Sequence, residues 1–178
     1  MQNIQIIDAT KQFLTKNAKN CTHALTLQTN LSTYNVGSEK MQQLKQLASR
    51  NVRYFIRRLA CKAYGNGAIR NKKHILHPTL ITTIEGTLDN YSKNKTIHIH
   101  IALGNILTKQ SKIKTEEQLV KTIKECWLVT EVGVADIDIK NLHSDRWLDY
   151  ITKELYDGNI ECVDWINTHI ANSTTTLT

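Results

Sequence analysis

Apolar residues recur along the chain with two different periods, and the switches between them mark out the elements. Residues 23–29, HALTLQT, alternate with Leu25 and Leu27 on one side, as a half-buried strand does. From Ser38 the period lengthens: Met41, Leu44, Ala48, Val52, Phe55, Ile56, Leu59 and Ala63 follow at three- and four-residue steps. This predicts a helix capped by Ser38 and running to about Tyr64, with Arg50, Arg53 and Arg57 on another stripe. Gly65-Asn66-Gly67 supplies residues that tolerate a left-handed stop. Alternation returns at Leu80–Thr87, with Leu80, Thr82 and Ile84 on one face and Ile81, Thr83, Glu85 and Thr87 on the other, and again at Thr96–Leu103. The turn formers of Asp89–Asn94 join these two runs as an antiparallel hairpin. A helix is expected at Thr115–Trp127, capped by Thr115, with Glu116 and Glu117 in its first turn and Leu119, Val120, Ile123 and Trp127 as its apolar stripe. A strand at Gly133–Ile139 and a helix at about Ser144–Leu155 complete an α+β chain built on an antiparallel sheet.

The 178 residues suit one domain, expected over 1–170, followed by a frayed Thr-rich tail at 171–178. The opening residues carry no basic start followed by a long apolar run, and no stretch of about 18 apolar residues occurs. Neither a signal peptide nor a membrane span is expected, and the chain reads as cytoplasmic. Cys21, Cys61, Cys126 and Cys162 are far apart and form no CxxC pair, so they read as core thiols rather than disulfides or a zinc ribbon. Charge changes the picture more. The net charge is +7, yet residues 1–80 hold thirteen Lys and Arg against two acids, while residues 81–178 hold ten against fourteen. The basic half is the footprint expected of a protein that meets a polyanion, and against it stands the plainer reading of a solvated basic surface.

Candidate chemistry gathers on the hairpin. His98 and His100 lie two apart in a strand, so both imidazoles leave one face, about 7 Å apart, while Ile97, Ile99 and Ile101 enter the core. Such a pair can share a divalent ion, although two histidines on a polar strand face are often bystanders. A loop centred between Tyr91 and Ser92 would set Glu85 opposite His98 and Thr83 opposite His100, which puts a carboxylate beside the imidazoles. A one-residue slip would turn Glu85 inward, and Asp136 and Asp138 are rival carboxylates. On the late helix, Tyr150 and Lys153 are i, i+3 neighbours, with Leu148, Ile151 and Leu155 anchoring the other side. His74 and His77, next to Pro78, read as solvated loop histidines, and Trp147 reads as core.

These elements, LTLQT, then an acidic strand leading into HIHIALG, then a helix carrying YITK, resemble the HUH endonucleases, and within them the small replication initiator (Rep) proteins of rolling-circle plasmids, phages and viruses. The resemblance covers roughly residues 21–156. It implies a five-stranded antiparallel sheet of ferredoxin-like topology, with helices on one face and the tyrosine helix across the other. It makes His98, His100 and Glu85 ligands of Mg²⁺ or Mn²⁺, Tyr150 the nucleophile and Lys153 its neighbouring cation. The activity implied is nicking and joining of single-stranded or hairpin origin DNA through a 5′-phosphotyrosine, with a free 3′-OH left to prime synthesis. Arg57, Arg58, Arg70, Lys72 and Lys73 are the expected DNA contacts. The family varies at the third ligand, so Glu85 carries over less firmly than the histidines. No helicase motif follows residue 160, so a helicase would come from another chain, and Tyr156, six residues past Tyr150, faces elsewhere than a second nucleophile would. A mobilisation relaxase, a single-tyrosine transposase, or a non-enzymatic ferredoxin-like nucleic-acid module are the alternatives.

Overall fold

The computed structural model describes residues 2–67, 78–86, 96–142, 147, 151–156 and 159–170. Its elements in chain order are α1 (Gln2–Ala18), β1 (His23–Ser32), α2 (Ser38–Tyr64), β2 (Thr79–Glu85), β3 (Thr96–Gly104), α3 (Glu116–Leu128), β4 (Gly133–Asn141) and the short α4 (Lys153–Tyr156), followed by a 3₁₀ turn at Ile160–Cys162. The strands form one antiparallel sheet in the order β2-β3-β1-β4. The fold is therefore α+β, as the alternation of periods predicts.

One sheet face is covered by α2 and α3. Leu25, Leu27, Ile97, Ile99, Ile101 and Leu103 meet Leu44, Val52, Phe55 and Leu59 of α2 and Leu119, Ile123 and Trp127 of α3 in the main core. Phe55 and Trp127 pack edge to face at 5.8 Å, and the Trp127 indole N–H donates to the Gln28 carbonyl at 3.0 Å, so this buried tryptophan leaves no polar group unpaired. Over one end of the opposite face lies a second cluster. It contains Leu14 and Ala18 of α1, Ile81, Ala102, Ile151, Leu155, Cys162 and Val163. Trp147 packs against this cluster, in keeping with its reading as a core residue.

Several expectations need correction. Among the described residues the sheet has four strands, not five. Residues 163–169 lie along the free edge of β2 and touch it through two isolated bridges, Thr83 with Val163 and Leu80 with His169. Between the bridges the Asn167 amide bonds both the Asp164 carbonyl (3.1 Å) and, through its side chain, the Asp164 carboxylate (2.6 Å). That turn lifts the segment off the ladder before it can become a strand. Ser38 is the first helical residue rather than the cap: Gly37 occupies the cap position and no side chain bonds the first turn. Thr115 does cap α3, accepting from the Gln118 amide at 3.2 Å. β2 stops at Glu85 because Gly86 adopts φ +91°, where a Cβ would also lie 2.5 Å from the Thr96 carbonyl oxygen. The expected extension to Thr87, the turn at 89–94, most of the helix before Ile151 and the tail at 171–178 lie outside the described residues.

α1 has no counterpart in the reading of the sequence. Its buried positions, Thr10, Leu14 and Ala18, with Ile7 half-buried, do fall at helical steps. They are diluted by exposed Ile4, Ile6 and Phe13 on other sides of the helix, which blurs the stripe. All four cysteines are free, and Cys21, Cys126 and Cys162 are buried. Burial pushes the Cys21 and Cys162 thiols up to about 12, so both stay protonated and inert. Among the described residues no helix is long and apolar enough to cross a membrane.

Candidate functional site

The side chains of interest stand on the sheet face opposite α2 and α3, where the second cluster leaves off. The hairpin register pairs Glu85 with His98 and Thr83 with His100, as a turn centred between Tyr91 and Ser92 requires. The next ladder extends this row across the sheet by pairing Gln28 with His98 and Thr26 with His100. Strand alternation thus brings Glu85, Thr83, His98, His100, Thr26 and Gln28 to one face, while Ile97, Ile99 and Ile101 enter the main core as expected.

At the centre is Glu85, only 2% exposed. Its Oε2 lies 3.2 Å from His100 Nε2 and 2.8 Å from Lys153 Nζ, so the late helix delivers its ammonium to the carboxylate that the hairpin presents. His100 is fully buried, and its other nitrogen, Nδ1, lies 3.1 Å from Thr26 Oγ1. A neutral imidazole satisfies both contacts by donating from Nε2 to Glu85 and accepting the Thr26 hydroxyl proton at Nδ1. Glu85 Oε1 and Thr83 Oγ1 are buried without a hydrogen-bond partner among the described residues.

Behind the pair sits a clamp. Glu154, next to Lys153 and 7% exposed, accepts the Gly86 amide at Oε1 (2.7 Å) and the Asn159 side-chain amide at Oε2 (2.8 Å). The residue after Glu85 is thereby tied to the residue after Lys153, which holds the two charges in register. Ile151 and Leu155 anchor this helix in the second cluster, as the spacing predicts.

His98 is half-buried, and its Nε2 lies 3.2 Å from Thr96 Oγ1, so its ring is turned along its own strand. Burial pushes its pKa below the ordinary imidazole value; His100 and Lys153 act in the same direction, while Glu85 and Asp136 oppose them. His98 is thus held neutral at pH 7, the form that can ligate a metal. Of the rival carboxylates, Asp138 is engaged by Lys140 at 2.6 Å, and exposed Asp136 lies close enough to influence His98.

The donor set suits a hard divalent ion in part. Neighbouring ligands in an octahedral sphere with bonds of about 2.1 Å stand about 3 Å apart, which matches the spacing of His100 Nε2 and Glu85 Oε2. Oε1, which has no partner among the described residues, supplies a second acceptor; with the proton moved to Nδ1, His100 frees Nε2 as a ligand and donates to Thr26 Oγ1, the hydrogen bond that commonly orients a ligating histidine. His98, on the adjoining register position, is turned away, so among the described residues no three His, Cys, Asp or Glu side chains converge as a ready cage.

Comparison with family models, curated proteins and solved structures gives no match.

The other expected residues are placed as follows. Tyr150, Arg70, Lys72, Lys73, His74 and His77 lie outside the described residues. Arg57 is exposed on α2, and Arg58 donates from Nη1 to Tyr54 Oη at 3.2 Å with its guanidinium 5.6 Å from the Tyr54 ring centroid. Both are on the α2 side of the sheet, away from His100 and Glu85, so the fold does not bring them to the histidine face. Thr26, Gln28 and Glu154 were not singled out by the sequence reading. For the first two a signal exists, since the alternation that buries Leu25 and Leu27 sends Thr26 and Gln28 to the opposite face.

Proposed function

We propose that this chain is a metal-dependent tyrosine endonuclease and strand transferase of the HUH type, acting on single-stranded or hairpin origin DNA to initiate rolling-circle replication. The observation that carries the proposal is the meeting of three elements at one carboxylate: Glu85 of β2 faces His100 of β3 and is paired with Lys153, three residues beyond Tyr150. The order of elements from β1 to β4, βαββαβ, with spatial order β2-β3-β1-β4, supports the ferredoxin-like topology that the resemblance implies.

In this reading His100 and Glu85 would hold Mg²⁺ or Mn²⁺, and His98 would complete the set by turning its ring from Thr96 to the ion. When bound, the ion supplies a Lewis acid at a non-bridging oxygen of the scissile phosphate. Tyr150 Oη attacks phosphorus in line with the 3′ oxygen. The bond from oxygen to phosphorus forms, the bond to the 3′ oxygen breaks, the phenol gives up its proton and the leaving 3′ oxygen gains one. Lys153 follows Tyr150 by three residues in the sequence, and in this reading its ammonium favours the phenolate and binds the phosphate. One phosphodiester replaces another, so the 3′-OH can reverse the step and rejoin strands. Glu154 and Thr26 are positioning residues, the first for Lys153 and the second for His100. Arg57 and Arg58, with Arg70, Lys72 and Lys73, are assigned to the DNA backbone.

The test is a labelled origin-like single strand incubated with the protein and Mn²⁺, followed by denaturing electrophoresis and mass mapping of any covalent adduct. An adduct on Tyr150 supports the reading. Binding without any adduct would favour a non-enzymatic nucleic-acid module.

A further inference from the structure

Among the described residues Phe13, Tyr34, Tyr54 and Trp165 are the exposed aromatic side chains, and Phe13 and Trp165 lie together. Phe13 of α1 is 40% exposed and Trp165 of the C-terminal segment 49% exposed, with Ile166 beside it at 69%. Their rings meet at 5.7 Å, tilted by 56°. The contrast with Trp127 is instructive: that indole is fully buried and its N–H donates to a carbonyl, whereas the Trp165 N–H finds no acceptor among the described residues. Trp165 is therefore not spent on the core.

Its position is set by the fold. Phe13 adjoins Leu14, which packs with Ile81 and Ala102 on the face that carries Thr83 and Glu85. Trp165 follows Val163, which bridges Thr83, and Thr83 is the register partner of His100. The pair thus stands at the β2 edge of the histidine face. Its surroundings favour an anionic ligand. Lys16, one helical turn from Phe13, is exposed, and Lys19, just past the end of α1, is exposed too. The carboxylate next to Trp165, that of Asp164, is buried and taken up by Asn167 at 2.6 Å. Flat apolar rings with adjacent cations are what unpaired bases on a phosphate backbone require.

We propose that Phe13 and Trp165 form a base-stacking platform for single-stranded nucleic acid, at the edge of the face that carries Glu85 and His100. The assignment rests on reading that face as the one that handles DNA, but it requires neither metal nor cleavage.

The experiment measures binding of a short oligo-dT, an abasic strand of the same length and a closed duplex, all in EDTA, by the full chain and by Trp165→Ala, Trp165→Phe and Phe13→Ala. The account expects Trp165→Ala to weaken oligo-dT binding between about fivefold and about a hundredfold, the effect of losing one stacked base. It expects little change toward the abasic strand and near wild-type binding by Trp165→Phe. Oligo-dT should quench wild-type tryptophan fluorescence, and Trp165→Phe should lose most of that quenching, since Trp127 is fully buried and Trp147 is half-buried against the second cluster. Equal affinity of all variants for oligo-dT, equal wild-type affinity for abasic and base-bearing strands, or preference for the duplex would overturn the platform. So would sedimentation showing that Trp165→Ala disrupts a dimer while leaving oligo-dT affinity intact. Adduct formation at Tyr150 is scored separately, so the platform and the nuclease chemistry can fail independently.

Discussion

Glu85 is the residue on which the site turns. A carboxylate this buried is costly unless its charge is met, and here an ammonium and an imidazole meet one oxygen while the other has no partner among the described residues. Glu85→Gln keeps the volume and removes the charge. It should lower stability by about 1.5–3 kcal/mol, the range for a hydrogen bond to a charged group, and weaken Mn²⁺ binding at least about tenfold. Urea unfolding and calorimetric titration with Mn²⁺ alone check the two effects. His98 makes a second prediction. Its folded pKa is depressed, so as pH falls through about 6.5 the unfolded chain takes up the proton first. The stability contribution is therefore flat above that value and declines as pH falls from it toward the lower folded pKa. His98→Gln should remove that part of the slope in denaturation curves measured across the acidic range. At this scale the sequence was legible where period and pairing alone decide the outcome: the His98, His100 and Glu85 faces follow from alternation and a symmetric turn. The Lys153 contact with Glu85 was not, because it depends on how a late helix docks, and that docking is set by Glu154 reaching the Gly86 amide.

Helix ends show the same division among the elements. The lengths of α2 and α3 were readable from their apolar stripes, yet the two capping assignments had different outcomes. Thr115 bonds the Gln118 amide, whereas the chain enters α2 one residue earlier than expected, at Gly37, and leaves Ser38 inside the helix. Thr115→Ala should therefore cost about 1 kcal/mol, while Ser38→Ala should stay within about 0.5 kcal/mol. Thermal melts of both variants decide the point, and equal losses would contradict the assigned caps. α1 was missed because helical periodicity is recognised by a clean apolar stripe, and here exposed Ile4, Ile6 and Phe13 spoil it. Residues 163–169 stay off the ladder for a reason that alternation cannot report: the Asp164–Asn167 turn, a polar interaction within the segment, competes with β2 for the backbone.

Across the whole molecule the sheet separates the two groups of candidate residues. Its α2 face carries Arg57 and Arg58 over the main core, and its opposite face carries the histidines, Glu85 and Lys153. If Arg57 and Arg58 follow the DNA backbone, neutralising both should weaken binding to every oligonucleotide by a similar factor. It should also flatten the slope of log affinity against log salt by about 0.7 for each lost single-strand phosphate contact. Sequence preference should survive, since backbone contacts position a strand without reading it. An unchanged slope would make the two arginines a solvated surface of a helix that serves only to cover the sheet. The measurement that bears most directly on the central claim is the covalent adduct. With Mn²⁺ and a single-stranded origin-like oligonucleotide, the wild-type chain should form a protein–DNA adduct that maps to Tyr150, is abolished by EDTA, and is absent from a Tyr150→Phe variant that still binds the strand and melts as wild type does. An adduct mapping to Tyr91 or Tyr156, an adduct that persists in Tyr150→Phe, or cleavage that survives EDTA would contradict the account.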